Sequence, residues 1–194
     1  MARVHGEILI SRRKDISLES NYRNYRSSLE ADFNYLCGYC GKSTDVSRRN
    51  FEIDHLVPIS VDNSKINDYQ NLVFCCFTCN RKKGKKWPTK DKSKYHDGEK
   101  GFIDPCSTEF DLHLGRDNSG KIIYHTSIGK YMHDVFGFEI RPTATVWKSM
   151  KLVERKKLIT EIIESNKDIE KYKDFYELQT ELDLLLNYLL GKGE

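Results

Sequence analysis

Two cysteine pairs with the same short spacing place the strongest constraint on how this chain can fold. Cys37 and Cys40 form one C-x-x-C turn, Cys76 and Cys79 form a second, and 35 residues lie between the pairs. Each such turn delivers two sulfurs to one ion, and Zn²⁺ takes four thiolate or imidazole ligands in a tetrahedron. We therefore predict a structural zinc site whose closure stabilises a module with a small hydrophobic core.

Two further cysteines need a separate interpretation. Cys75 with Cys79 is also a plausible metal-binding pair, but we prefer Cys76, since it repeats the spacing of the first pair. Cys75 is then a small core residue, and Cys106 is structural because no partner lies at metal-binding spacing. The sequence begins without an apolar signal segment, so we expect a cytoplasmic protein in which paired cysteines hold metal and not disulfides.

Hydrophobic patterns predict an α+β fold with three segments. Residues 1–36 contain an N-terminal helix over 17–36, with apolar residues at helical spacing starting at Leu18. Residues 37–100 form the zinc-stapled module, in the order strand, loop, strand and helix, followed by a charged loop. Residues 101–194 contain a hairpin over 110–125 and two amphipathic helices from Trp147 onward, with a break near Ser165 and Asn166. The second helical stripe includes Ile169, Leu186 and Leu189.

Charge is unevenly distributed, although the formal net charge is only +3. Residues 81–100 contain nine Lys or Arg against three Asp or Glu, whereas residues 158–194 contain nine acidic against four basic residues. A basic patch beside a metal-binding motif predicts a phosphate backbone as partner. The candidate DNA-binding residues directly follow the second cysteine pair: Arg81, Lys82, Lys83, Lys85 and Lys86.

A family resemblance rests on the order and spacing of motifs over residues 37–86. The motifs are Cys37-x-x-Cys40, Glu52-Ile-Asp54-His55-Leu-Val-Pro58, Asn71-Leu72 and Cys76-x-x-Cys79-Asn80-Arg-Lys82. This segment resembles the HNH endonuclease family. The resemblance implies a ββα-metal (His-Me finger) fold and hydrolysis of DNA phosphodiester bonds with a divalent ion.

The resemblance also implies a role for each polar residue. His55 is the expected general base, since phosphodiester hydrolysis needs a base that works near neutral pH and histidine is the residue type suited to that task. Asp54 and Asn80 are expected to hold catalytic Mg²⁺ or Mn²⁺ through oxygen. Asn71 is expected to hold the loop and orient His55. The family often has histidine where this chain has Asn80, but asparagine also occurs there and can ligate a hard metal. Glu52 lies on the same strand face as Asp54 and is an alternative metal ligand that we rank lower.

The region after residue 100 resembles, more loosely, small bacterial HNH proteins encoded beside ATPases in anti-phage defence systems. That resemblance implies a nuclease subunit gated by a partner ATPase, with the acidic C-terminal helices as a docking surface. The chain itself lacks a G-x-x-x-x-G-K-[S/T] loop for ATP. Two alternatives stay open: a non-catalytic, zinc-stabilised DNA-binding module, and an interaction protein whose helical end is the working part.

Overall fold

Six α-helices and two separate two-stranded antiparallel sheets make up the regular structure of the described residues. The computed structural model describes residues 2–47, 49–166 and 170–189. The helices are α1 (Arg26–Asp32), α2 (Phe77–Lys83), α3 (Phe110–His113), α4 (Ser127–Phe136), α5 (Thr143–Asn166) and α6 (Glu170–Leu189). The strands are β1 (Glu52–His55), β2 (Leu72–Cys75), β3 (Leu114–Arg116) and β4 (Ile122–Tyr124). Within these residues, no helix has both the length and the apolar character needed to cross a lipid bilayer.

The first sheet and α2 follow one another in the order that the hydrophobic pattern predicts. β1 pairs with β2 so that Glu52 lies opposite Cys75 and His55 lies opposite Leu72. β2 is buried along its whole length, and α2 follows it directly. The helix ends at Gly84, whose φ of 51° is readily adopted only by glycine. This sheet and helix position every polar residue of the predicted active site except Asn71, which precedes β2.

The N-terminal helix is shorter than predicted, and the expectation of one helix over 17–36 is wrong. A 3-10 turn begins after Asn21, whose side chain accepts a hydrogen bond from the Arg23 amide. α1 follows, and the positive φ of Asn34 and Tyr35 (49° and 58°) ends helical geometry after it. Leu18, assigned to the buried stripe, is 95% exposed because it precedes the turn.

The predicted hairpin over 110–125 is correct only in its second part. β3 and β4 pair across a turn in which the Asp117 carboxylate accepts the Ser119 and Lys121 amides. Residues 110–113 form a helical turn instead, which leaves Leu112 exposed. The alternating apolar residues before the turn therefore belong to two elements, since the first of them lie on the helical turn and the last lies on β3.

Two hydrophobic clusters of unequal size hold the described residues together. The larger contains residues from Val4 to Phe138, drawn from both sheets and from α1, α2, α3 and α4. The smaller lies between α5 and α6, around Leu152, Leu178 and Leu182. Both C-terminal helices were predicted, and α5 ends at Asn166, near the predicted break. Ile169 lies outside the described residues, as do the side chains of Leu186 and Leu189.

Candidate active site and metal centre

The four cysteines of the predicted zinc site converge in the structure. Their sulfurs all lie within 4.8 Å of one another, and all four residues are buried. The Sγ atoms of Cys40 and Cys76 are 3.8 Å apart. Zinc–sulfur bonds of about 2.3 Å in a tetrahedron separate two sulfurs by about 3.8 Å, so the arrangement fits a zinc ion. Cys75 is buried outside this group, which favours Cys76 over Cys75 as the ligand.

Arg141 supplies a positive charge beside the cysteine cluster. Its Nη1 donates to Cys79 Sγ at 3.3 Å, and its Nη2 donates to Cys40 Sγ at 3.5 Å. Burial lowers the pKa of the guanidinium, but the neighbouring thiolates outweigh it and raise that pKa above its usual range. Four thiolates around Zn²⁺ carry a net charge of −2, which a buried guanidinium partly offsets. Sequence reasoning missed this residue.

Two contacts tie one face of β1 to one face of α2. Asp54 Oδ2 accepts a hydrogen bond from Tyr39 Oη at 2.5 Å and pairs with Lys83 Nζ at 2.9 Å. Glu52 Oε2 accepts from Asn80 Nδ2 at 2.6 Å. Residues two apart share a strand face, and residues three apart share a helix face. The strand–helix interface therefore brings the Asp54 carboxylate and the Asn80 amide to the same side of the module.

His55 is held at the end of β1 with one ring nitrogen occupied. Its Nε2 lies 2.8 Å from the carbonyl oxygen of Ile66. A carbonyl only accepts, so Nε2 carries the hydrogen and neutral His55 keeps its lone pair on Nδ1. The Tyr22 ring packs edge-on against the imidazole at 4.8 Å between centroids. The ring is thus both oriented and fixed in one tautomer.

Asn71 forms three hydrogen bonds to the backbone of the chain just after His55. Its Oδ1 accepts from the Val57 amide at 2.9 Å, and its Nδ2 donates to the Val57 carbonyl at 3.0 Å. Its backbone carbonyl accepts from the Leu56 amide at 2.8 Å. These three bonds fix the residues that follow β1, so Asn71 holds this loop; its role in orienting His55 stays a prediction.

The prediction that Lys83 contacts DNA phosphates is wrong. Lys83 is fully buried, because the helix turns its side chain inward to Asp54 Oδ2 and to the His55 carbonyl. Arg81, Lys85 and Lys86 are exposed, and Lys82 is half-buried. Successive residues of a helix point in different directions, so the side chains of a basic run on a helix do not all face solvent.

A polar cleft of about 480 Å³ opens beside Glu52 and Asn80. Three arginines line it, and their side chains come from two separate parts of the chain: Arg23, Arg26 and Arg81. Arg26 also donates to the Phe51 carbonyl at 2.8 Å, which anchors it at the rim. Arg23 and Arg26 were absent from the predicted DNA-binding set, because no motif marks them and only the packing of the segment 22–32 against the first sheet brings them here.

Comparison with known proteins supports the interpretation of this segment. Neither the curated proteins nor the solved structures contain a match to the chain. The segment that does match a family contains the cysteine cluster, β1, β2, α2, His55, Asn71 and Asn80, and it spans 50 of the 194 residues. Residues 37–86 are similar to the family described as HNH endonuclease.

Proposed function

We propose that this protein is a metal-dependent endonuclease that hydrolyses DNA phosphodiester bonds, with His55 as general base. The tautomer of His55 carries the proposal. Because the Ile66 carbonyl holds Nε2–H, the free lone pair on Nδ1 can take a proton from an attacking water. A histidine with both nitrogens bonded inside the fold would have no lone pair to offer.

Asp54 and Asn80 are the residues proposed to hold Mg²⁺ or Mn²⁺. Both bonds to Asp54 are made to Oδ2, and the Asn80 amide donates through Nδ2, so Oδ1 of each side chain is the oxygen for the ion. Hard divalent cations prefer such oxygens. Asp54 and Asn80 would hold the ion through these oxygens, and an ion held there would supply stabilisation of the charge on the leaving oxygen.

The remaining parts of the proposal concern zinc and the substrate. Zn²⁺ in the cysteine cluster is structural, since four protein sulfurs leave no open position for substrate. The arginines of the cleft would contact phosphates together with the exposed Lys85 and Lys86, which gives affinity without sequence readout. The defence-system context and the partner ATPase stay predictions.

Plasmid cleavage by the zinc-loaded protein tests the proposal. We expect nicked or linear products with Mg²⁺ or Mn²⁺ and none with EDTA or with His55→Ala. His96→Ala is the matched control, because His96 is an exposed histidine that makes no side-chain contact to the site. Cleavage by His55→Ala at the rate of His96→Ala would refute the assignment. DNA binding without cleavage by the wild type would favour the non-catalytic module.

A further inference from the structure

The contact between Glu52 and Asn80 has a chemical consequence for the proposed metal ligand. The two side chains meet at 2.6 Å, a short distance that is typical of a hydrogen bond to a charged group. An ionised carboxylate only accepts hydrogen bonds, whereas a carboxamide has one donating end and one accepting end. Glu52 therefore selects the orientation in which the NH₂ group of Asn80 faces it and the amide oxygen faces away.

A cation of α2 lies beside Glu52 and helps to hold its side chain in place. Its Oε1 lies 3.5 Å from Arg81 Nη2, on the helix residue next to Asn80. The neighbouring carboxylate of Asp54 has its own partner in Lys83 at 2.9 Å. Each strand carboxylate thus pairs with a separate cation of the helix, so Glu52 does not compete with Asp54 for Lys83.

We propose that Glu52 is a positioning residue, which fixes the Asn80 amide so that its oxygen and not its nitrogen faces the divalent ion. A hard cation binds the amide oxygen and is repelled by the NH₂ group, so a flipped Asn80 is not a ligand. This inference rests on the proposed function, since it concerns the ion that Asn80 would hold. Glu52 acts through Asn80 and does not touch the ion itself.

Reversal of the hydrogen-bond polarity tests this role. Glu52→Gln removes the control over the orientation of the Asn80 amide. A glutamine side chain both donates and accepts hydrogen bonds, so it can bond to either end of that amide. Glu52→Gln with Asn80→Asp restores it in mirror form: the introduced amide donates to one oxygen of the introduced carboxylate, and the other oxygen is available to the ion. Mn²⁺ affinity is measured by electron paramagnetic resonance on zinc-loaded protein bound to a short DNA duplex. Every protein carries His55→Ala, so that the duplex stays intact.

We expect Glu52→Gln to weaken Mn²⁺ binding at least about tenfold, within the usual range for a residue that orients a metal ligand. The double variant should regain most of that loss. Glu99→Gln is the matched control, since it removes one exposed carboxylate far along the chain. In cleavage by proteins with His55 intact, Glu52→Gln should raise the Mg²⁺ concentration that gives the half-maximal rate.

Three results would be decisive against the role. Mn²⁺ binding by Glu52→Gln equal to that of Glu99→Gln would overturn it, and so would a double variant that stays folded and zinc-loaded but as weak as Glu52→Gln. Both leave the endonuclease proposal standing if the wild type cuts DNA. Failure of the parent protein to bind Mn²⁺ at all, together with absence of cleavage by the wild type, would overturn the proposed function and this inference with it.

Discussion

Lys83 carries a positive charge into the interior of the module. It is fully buried, and its ammonium group meets the Asp54 carboxylate at 2.9 Å and the His55 carbonyl at 2.8 Å. Its stem passes Phe102, whose ring centroid lies 5.5 Å from Nζ. The ammonium thus holds the two adjacent residues that the proposed mechanism uses, one through its side chain and one through its backbone.

Replacement of Lys83 by methionine should therefore destabilise the fold strongly. Loss of one partner of a buried ion pair leaves the other charge uncompensated and costs about 3 to 5 kcal/mol. The measurement is urea unfolding of zinc-loaded protein, followed by circular dichroism. Lys85→Met is the control, because the exposed Lys85 should change stability by less than about 0.5 kcal/mol. Equal midpoints for the two variants would contradict the pairing of Lys83 with Asp54.

At the scale of elements, the cysteine cluster joins the turn before β1 to the start of α2. Cys37 and Cys40 come from the turn after α1, while Cys76 and Cys79 flank the first turn of α2. The Gly38 amide also donates to the Phe74 carbonyl at 2.9 Å, so the first turn is bonded to β2 as well. The ion proposed for this site would fasten both ends of the strand–loop–strand unit.

The adjacent residues Cys75 and Cys76 offer a matched test of the ligand assignment. Cys76→Ala should abolish stoichiometric zinc, because a tetrahedral site with three protein ligands loses much of its affinity. Cys75→Ala should retain one zinc per chain, since Cys75 is buried away from the cluster. Metal analysis of purified proteins after dialysis against a weak chelator gives the comparison. Zinc loss from Cys75→Ala alone would reverse the assignment.

Elements with local signals could be predicted from the sequence, and those fixed by distant contacts could not. β1, β2 and α2 follow from alternation, burial and the terminating Gly84. α4 had a signal that was overlooked: Ile128, Met132 and Phe136 recur every four residues between the capping Thr126 and Gly137. The burial of Lys83 and the approach of Arg23 to the cleft had none, because each depends on which helix face meets the rest of the fold.

The candidate site also combines residues that have a local sequence signal with contacts that have none. The motif residues His55, Asn71 and Asn80 could be named in advance, because their order and spacing are recorded in the chain. The partner of Asn80 could not, since Glu52 precedes it by 28 positions and is one of many carboxylates. Contacts between residues far apart in the chain produce no periodic pattern in the sequence, so only the folded structure reveals them.

At the scale of the whole molecule, Arg141 connects the C-terminal region to the metal centre. It lies between α4 and α5, and 62 positions separate it from Cys79, to whose sulfur it donates. The same guanidinium donates to the Phe136 carbonyl at 3.3 Å, at the end of α4. The cysteine cluster and the packing of α4 are therefore linked through one side chain.

Loss of the Arg141 side chain should weaken the binding of zinc, although it removes no zinc ligand. We expect Arg141→Met to raise the rate or extent of zinc transfer to a competing chelator by about 10- to 100-fold, as for other residues that hydrogen-bond to metal ligands. Arg155→Met is the control, because Arg155 is an exposed arginine on α5. A colorimetric chelator records both variants. Identical transfer from the two would show that the Arg141 charge does not stabilise the cluster.

Ala2, Val4 and Gly6 contact residues that lie more than a hundred positions later in the chain. Ala2 forms a bridge with Arg116, whose Nε donates to the Val4 carbonyl at 2.8 Å, and Gly6 packs under the Trp147 ring. Synthesis runs from the N-terminal to the C-terminal side, so Ala2, Val4 and Gly6 must wait for these partners to emerge. The four cysteines of the cluster, by contrast, lie in the segment that is synthesised between these early residues and their late partners. Metal capture can thus precede completion of the fold, and Ala2, Val4 and Gly6 gain these partners only after the cysteines have been synthesised.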